Sequence, residues 1–485
     1  MHSRLCLISI LVLHLLGNLQ EIYPQSRGGR GHFRREIDSI VHSFAADSLL
    51  APASIGIEIA DAPARSVLYA LNAEKAFQPA STAKILTTGT ALHLLGSRYK
   101  FITPFSTNGT VSRGQLSGDL IVQGSGDPLL VTDDLDSAAA AIAAAGIRHI
   151  TGNLVGNISL FDSTGWGKGW MWDDEPEADE AFISPLTVNK NSITISIVTG
   201  DRYGTPPVIT SSPVISSIRI ENNAIVGSDE QIPPIAIDRP HGENTFIVRG
   251  RIGPRESTKD ITVSVAHPDS VFLQLLRDRL IAQGISVGGT LTFGASSGSR
   301  TLFRLFHTLD TVVWHINKWS YNLGAENLLR VMAAADRGGT GIADTGLALI
   351  GHELHEAGAD TAAIFLADGS GVSRYSLISA DAMVKFLVAR YHDRKTFPVF
   401  QASLPLAGQD GTLAHRMKGT AAVGNAAAKT GTMTGISSLA GYVKSADGRE
   451  LAYCIFVNNV PRSTVAARSL QDAIVVYLAA RSFER

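Results

Sequence analysis

Apolar positions Ile37, Ile40, Val41 and Phe44 recur at helical spacing after the glycine-rich linker Ser26 to Gly31, and predict an amphipathic helix at the start of the mature fold. Two strand-like runs, Ala53 to Ala60 and Ser66 to Leu71, flank the turn signal Asp61-Ala62-Pro63 and predict a hairpin. Pro79-Ala80 then leads into Ser81, and Ile85, Leu86, Leu92 and Leu95 form a helical stripe closed by Gly96, which places Ser81 at or near a helix N-terminus. From Tyr99 to about Phe293 the texture changes to short alternating runs separated by turns such as Asn108-Gly109, Gly118-Asp119 and Gly288-Gly289. That region, about 200 residues, is large enough for one or two small domains; it is predicted to be mostly β, with one alanine-rich helix from Asp136 to Ala145. Helices are predicted next over Val312 to Trp319, with Asp310 as N-cap, and over Ala325 to Ala335, Thr345 to Ala357 and Ala380 to Tyr391. Two strands, Ser438 to Val443 and Leu451 to Asn458, joined by Ala446-Asp447-Gly448, and a last helix, Thr464 to Ala480, close the chain. A hairpin and a helix at each end imply that the ends meet in one α/β unit split by the insertion.

Composition narrows this only slightly. At 485 residues two or three domains are expected, and 45% hydrophobic residues, 18% charged residues and a net charge of -2 give no bulk attraction to nucleic acid or anionic membrane. The first residues say more. Arg4 precedes an almost unbroken apolar run, Leu5 to Gly17, too short for a hydrocarbon core that needs about 20 helical residues but suited to a secretory signal. Residues 1 to 20 are therefore set aside as a signal peptide, and the protein is expected to be exported to the periplasm or cell envelope, or held at the membrane if that segment is retained. Cys6 lies in the segment and Cys454 in a strand, so the mature chain has no internal disulfide to form, and Cys454 reads as a packed core residue.

Three short motifs carry chemistry, in the order one catalytic site requires: Ser81-Thr82-Ala83-Lys84, Ser320-Tyr321-Asn322 and Lys429-Thr430-Gly431. This set is the signature of class A β-lactamases and penicillin-binding proteins. Alone, the first two are weak, since Ser97-Arg98-Tyr99-Lys100 and Ser106-Thr107-Asn108 match as well. The former follows the helix stop and enters a strand, where residues three apart face opposite sides, whereas Ser81 and Lys84 share a helix face. The latter lies on an Asn-Gly turn. A serine hydroxyl needs a neighbour to take its proton, and a neutral Lys84 can do so, its basicity reduced by burial and by the charge of Lys429. The backbone N–H groups of Ser81 and Thr432 can form an oxyanion hole. Lys429, Thr430, Gly431 and Thr432 are expected to receive a substrate carboxylate, Asn322 to hold a substrate amide, and Ser320 to pass the proton to the leaving group.

Beyond these motifs, Phe77 to Lys84 (FQPASTAK), Gly124 to Pro128 (GSGDP), Gly169 to Asp174 (GWMWDD), Asp368 to Arg374 (DGSGVSR) and Gly408 to Leu413 (GQDGTL) span nearly the whole mature chain. Together they resemble the D-alanyl-D-alanine carboxypeptidase/endopeptidase family, the low-molecular-mass class C penicillin-binding proteins of peptidase family S13. The resemblance implies an α+β, serine β-lactamase/transpeptidase-like catalytic domain with an all-helical subdomain, assigned to residues 33–97 and 300–485. It is interrupted by inserted, mostly β domains over residues 98–299, two of them. The implied activity is a serine-type D-Ala-D-Ala carboxypeptidase, with D,D-endopeptidase activity, that acylates Ser81 with peptidoglycan stem peptides ending in D-Ala-D-Ala. β-Lactams are the implied covalent inhibitors, and no metal, cofactor or nucleic acid is needed. Tyr321 stands where the family often has Asp, which leaves Ser320 and Asn322 in place.

His352-Glu353-Leu354-His355 places its histidines three apart, not the four of a zinc protease helix, and reads as a solvated helix face. Trp166, Trp170 and Trp172 read as packing residues. Asp368 and Arg374 either shape the floor of the site or hold a turn. Two rival functions remain open to test, a β-lactamase and a non-catalytic peptidoglycan-binding protein; oligomeric state and the balance of carboxypeptidase and endopeptidase activity are not legible.

Overall fold

The computed structural model describes residues 30–46, 49–200, 202–228, 230–254 and 258–483. The apolar segment, its secretory reading and Cys6 lie outside them, and no described helix is long and apolar enough to cross a membrane.

The chain divides into two compact units. The first comprises the described residues of Met1–His93, Val313–Ser320 and Ala348–Arg485. Its centre is an antiparallel five-stranded sheet built from β1 (Ser54–Asp61), β2 (Ser66–Leu71), β3 (Ala427–Met433), β4 (Ile436–Lys444) and β5 (Glu450–Asn458), in the order β2-β1-β5-β4-β3. The two ends of the chain therefore pair directly, Ser54 opposite Asn458 and Asp61 opposite Leu451. The Asp61 carboxylate accepts from Ala64 N at 2.9 Å and closes the first hairpin. β5 is buried along its whole length, which a strand achieves only when both faces are covered. Leu439, Tyr453, Ile455 and Val457 share one core with Leu470, Ile474 and Leu478 of the helix Val465–Ala480, and with Phe33 and Ile37 of the helix Arg30–Ala45. The helix Ala380–His392 packs on β1 and β5, and its Leu387 carbonyl accepts from Tyr442 Oη at 2.8 Å. β3 is left as an edge strand, with one row of backbone groups unused by the sheet.

The second unit is Leu94–Val312 with Tyr321–Leu347. A five-stranded sheet runs in the order Leu291–Phe293, Leu154–Asn157, Leu120–Gln123, Lys100–Thr107, Arg300–Thr308, beside a four-stranded and two three-stranded sheets. Thr132–Ala144 is the alanine-rich helix. A second helix, Pro268–Ala282, went unpredicted because its apolar residues surround it rather than forming a stripe, and seven of its residues are buried. Two boundaries also differ from expectation. Arg300–Thr308 pairs with Lys100–Thr107, so these residues, expected in the catalytic domain, lie in the second unit. Asp310 is not an N-cap but sits in the first turn of the helix Leu309–Trp319, accepting from Thr311 N at 2.7 Å.

Candidate active site

Ser81 lies in a single 3-10 turn, Ala80–Thr82, that runs into the α-helix Ala83–Leu95. Ala80 enters it with φ of +47°, a left-handed conformation costing a residue with a side chain roughly 1–2 kcal/mol, so the surroundings must hold it. Thr82 does so locally, its Oγ1 donating to Pro79 O at 2.7 Å. Two glycines let other segments close on the turn. A Cβ on Gly431 of β3 would stand 2.7 Å from Pro79 O and 3.0 Å from Ser81 N; one on Gly371, at φ +81°, would stand 1.9 Å from Ala80 O. Gly431 thus contributes through its missing side chain, which lets the edge strand lie against the serine.

Lys84 is wholly buried, and its Nζ donates to Ser81 Oγ at 2.9 Å and to the Ser370 carbonyl at 2.6 Å. That carbonyl belongs to a loop organised by Asp368, whose carboxylate accepts from Ser373 N at 2.8 Å, Ser370 Oγ at 3.0 Å and Ser376 Oγ at 3.1 Å. Thr87, on the Ser81 helix, donates to Gly369 O at 2.6 Å. Asp368 therefore holds the turn that delivers an acceptor to Lys84. Arg374 lies further along, donating to Thr434 O at 3.4 Å, while its own carbonyl accepts from Gln78 Nε2 at 2.6 Å.

The second serine–lysine pair is assembled from distant segments. Lys429 Nζ donates to Ser320 Oγ at 2.9 Å and to Thr430 O at 2.8 Å. Ser320 follows the helix Leu309–Trp319 with φ of +60°, again left-handed. Its approach is fixed by Lys318, which meets the Asp410 carboxylate at 2.7 and 2.8 Å and Leu404 O at 2.6 Å. Asn317 bonds Ser403 Oγ at 2.8 Å and Thr88 Oγ1, on the Ser81 helix, at 3.1 Å. Thr430 Oγ1 donates to Thr412 Oγ1 at 2.8 Å, and Thr432 is exposed. Burial, and then the charge of Lys84, push the Lys429 ammonium well below the usual lysine range.

Seven of the eight expected site residues thus fall in the first unit, arranged as two hydroxyl–amine pairs and an edge strand. Asn322 belongs to the second unit, where it opens the helix Asn322–Arg337 and its side chain donates to Asp179 O at 3.0 Å and Glu180 Oε1 at 3.4 Å. The sequence reading did not assign Thr88, Asn317 or Lys318, and placed Ser370, Asp410 and Thr412 only as members of family-like stretches. Lys318 had a signal in hindsight, a cation two residues before a catalytic-motif serine.

Two other readings are corrected. Glu353 is not on a solvated face: it is buried and pairs with Arg390 Nη2 at 2.8 Å, while His352 and His355 are exposed. Trp170 packs edge-on against Trp166, but Trp172 is 81% exposed and does not pack as expected. Cys454 is buried, as a core residue should be, and burial raises its thiol well above the usual range. Among the described residues, no group of three His, Cys, Asp or Glu is placed to hold a metal.

A family model described as D-Ala-D-Ala carboxypeptidase 3 (S13) matches residues 37–481. The chain belongs to this S13 family. It is 34% identical to the D-alanyl-D-alanine carboxypeptidase of Actinomadura sp. (strain R39), over 98% of this chain and 90% of that one. The crystal structure of penicillin binding protein 4 from Haemophilus influenzae shares the fold, with a TM-score of 0.81 at 23% identity, covering 90% of this chain and 98% of that one. The same protein complexed with a β-lactam aligns with a TM-score of 0.76 at 22% identity over the same shares. The fold of this S13 member is accordingly transpeptidase-like and mixed α and β.

Proposed function

We propose that this S13 member is a serine-type D-Ala-D-Ala carboxypeptidase, with D,D-endopeptidase activity, acting in the periplasm or cell envelope on peptidoglycan stem peptides through an acyl-enzyme on Ser81. The observation that carries the reading is the 2.9 Å hydrogen bond between Ser81 Oγ and a wholly buried Lys84 amine. A neutral amine there takes the hydroxyl proton as Oγ attacks the carbonyl of the penultimate D-alanine. The negative charge that develops on the carbonyl oxygen is received by the backbone N–H groups of Ser81 and Thr432. The C–N bond then breaks, and the departing D-alanine amine takes a proton through Ser320, which Lys429 supports. Water, activated by the same base, releases the acyl group and restores Ser81.

Lys429 and the hydroxyls of Thr430 and Thr432 receive the terminal carboxylate. A bound carboxylate favours the ammonium form of Lys429, so substrate arrival reverses what burial does to that amine. Asn322 holds an amide of the acyl portion. The names of the relatives support the substrate class, and the β-lactam complex of the H. influenzae protein supports β-lactam binding.

Purified protein incubated with a labelled penicillin should gain the mass of one opened β-lactam on the peptide containing Ser81, and should release one alanine from a pentapeptide muropeptide. Ser81→Ala should do neither. Intact enzyme with no adduct and no alanine released would overturn the reading, and rapid penicillin hydrolysis would replace it with a β-lactamase.

A further inference from the structure

The middle residue of Ser320-Tyr321-Asn322 is held by two separate segments of the second unit. Tyr321 is buried to 9% exposure and precedes the helix Asn322–Arg337 as its N-cap residue. Its Oη donates to Pro128 O at 2.9 Å. Pro128 ends the Gly124 to Pro128 stretch, whose Asp127 is wholly buried, accepts from Leu129 N at 3.0 Å and bonds His307 Nδ1 at 2.9 Å. One residue earlier, the Gly126 carbonyl accepts from Asn327 Nδ2 at 3.3 Å, on the same helix that Tyr321 precedes. The loop therefore grips the start of that helix at two points.

A different segment holds the ring. Lys190 Nζ lies 5.3 Å from the Tyr321 ring centroid, within reach of a cation–π contact. Lys190 is the centre of Asn189-Lys190-Asn191, whose φ values are +49°, +57° and +53°. Three consecutive left-handed residues, none a glycine, persist only where the surroundings over-determine them. Here they do: Asn189 exchanges two hydrogen bonds with Thr132, at 3.0 and 2.8 Å, and Asn191 donates to Phe182 O at 2.8 Å. The Pro128 carbonyl and the strained turn that carries Lys190, about 60 residues apart in sequence, thus meet at one side chain.

We propose that Tyr321 is a positioning residue that fixes the first turn of the helix Asn322–Arg337, and with it the direction of the Asn322 amide. The phenol sets how far the turn can swing, and the ring contact sets its tilt. This rests on the reading of Asn322 as the group that holds a substrate amide.

The test uses Tyr321→Phe, which keeps the ring and removes one hydroxyl, and Tyr321→Leu, which removes both contacts. Rates are taken per penicillin-titratable site, so that loss of folded protein does not enter. Tyr321→Phe should lower kcat for D-alanine release about 10-fold with KM within twofold, and Tyr321→Leu should lower it further. In the double variant Tyr321→Phe, Asn322→Ala, the loss should be no larger than for Asn322→Ala alone, because one residue acts through the other. Wild-type kcat per site in Tyr321→Phe, or additive losses in the double variant, would overturn the proposal. A wild-type enzyme that released no D-alanine would instead remove the reading of Asn322 on which it rests, and the proposal with it.

Discussion

The two serine–lysine pairs of the first unit have the same hydrogen-bond length, 2.9 Å, and opposite origins. Ser81 and Lys84 are three residues apart, at the start of one helix, and the helical repeat alone brings them to one face. Ser320 and Lys429 are 109 residues apart and meet only because Asp410, Leu404 and Ser403 anchor the end of one helix beside an edge strand. The local pair shares one helix start, whose left-handed Ala80 its surroundings hold, and the rest of what surrounds it adjusts its chemistry. The distant pair needs scaffolding to exist at all. Lys84 therefore receives a carbonyl from elsewhere, Ser370 O, whereas Lys429 uses the carbonyl of its own neighbour, Thr430.

Removing Lys84 should produce the largest difference between the pairs. Lys84→Met eliminates the proposed base beside Ser81, a role that contributes typically about 10²–10⁴-fold in rate, and leaves Ser81 in place. Acylation by penicillin and D-alanine release should fall together by that factor. The same variant removes one of the two causes of the low basicity of Lys429, so the Lys429 amine should titrate at higher pH than in wild type while staying below the ordinary lysine range, since its burial persists. Side-chain NMR of labelled lysines measures this directly. A Lys429 signal that titrates at the same pH in both proteins would show that the pairs do not communicate through charge.

The comparison also marks how far the sequence can be read. Ser81-Lys84 was legible because a helix start and an i, i+3 spacing are local facts, and the rejection of Ser97-Lys100 follows from the same geometry: Gly96 has φ of +77° and Lys100 begins a strand. Ser320 with Lys429 was legible only through the order of the three motifs, since nothing in local pattern tells residue 320 that residue 429 will face it. The pairing of the chain ends was readable because β1 and β5 are strand-like runs with matching hairpins. Glu353 was misread because its spacing put it on a face with two exposed histidines, and the partner that buries it, Arg390, comes from another helix. Trp172 was misread for the opposite reason: its type favours burial, and position overrode type. Asp368 stayed ambiguous in sequence because a carboxylate accepting from three groups within eight residues, a local turn, acquires its role only through the Ser370 carbonyl it presents to residue 84.

That loop offers an intermediate effect on the local pair alone. Asp368→Asn keeps the shape and removes the charge from an acceptor of three hydrogen bonds, interactions worth about 1.5–3 kcal/mol when charged. The loop should loosen and the Ser370 carbonyl should hold Lys84 less firmly. Acylation at Ser81 is expected to slow about 10-fold, with a lowered thermal midpoint. Fluorescent-penicillin kinetics together with calorimetry separate the two. An unfolding midpoint that drops with no change in acylation rate would make Asp368 a structural residue only, and would leave Lys84 independent of its loop.

The smallest effect on activity should come from a third buried ionisable group of the first unit, placed in the sheet and assigned no part in the chemistry. Glu58 lies on β1, opposite Cys454 of β5, and burial, then the nearby Asp381 charge, raise its carboxyl from about 4.5 to about 7. The folded chain thus binds this proton more tightly than the unfolded chain. The stability it contributes is fully present below pH 4.5 and is lost as pH rises through about 7, where the carboxylate must be carried in the sheet. Glu58→Gln removes that charge, so the variant should gain about 1–3 kcal/mol over wild type at pH 8 and little at pH 4.5. Denaturant unfolding at the two pH values measures the difference, and D-alanine release at pH 8 should be unchanged. Equal stabilisation at both pH values would mean that packing, not charge, sets the cost of Glu58. A change in D-alanine release would mean that the sheet transmits charge from β1 to β3, and that the depressed basicity of Lys429 has a source beyond burial and Lys84.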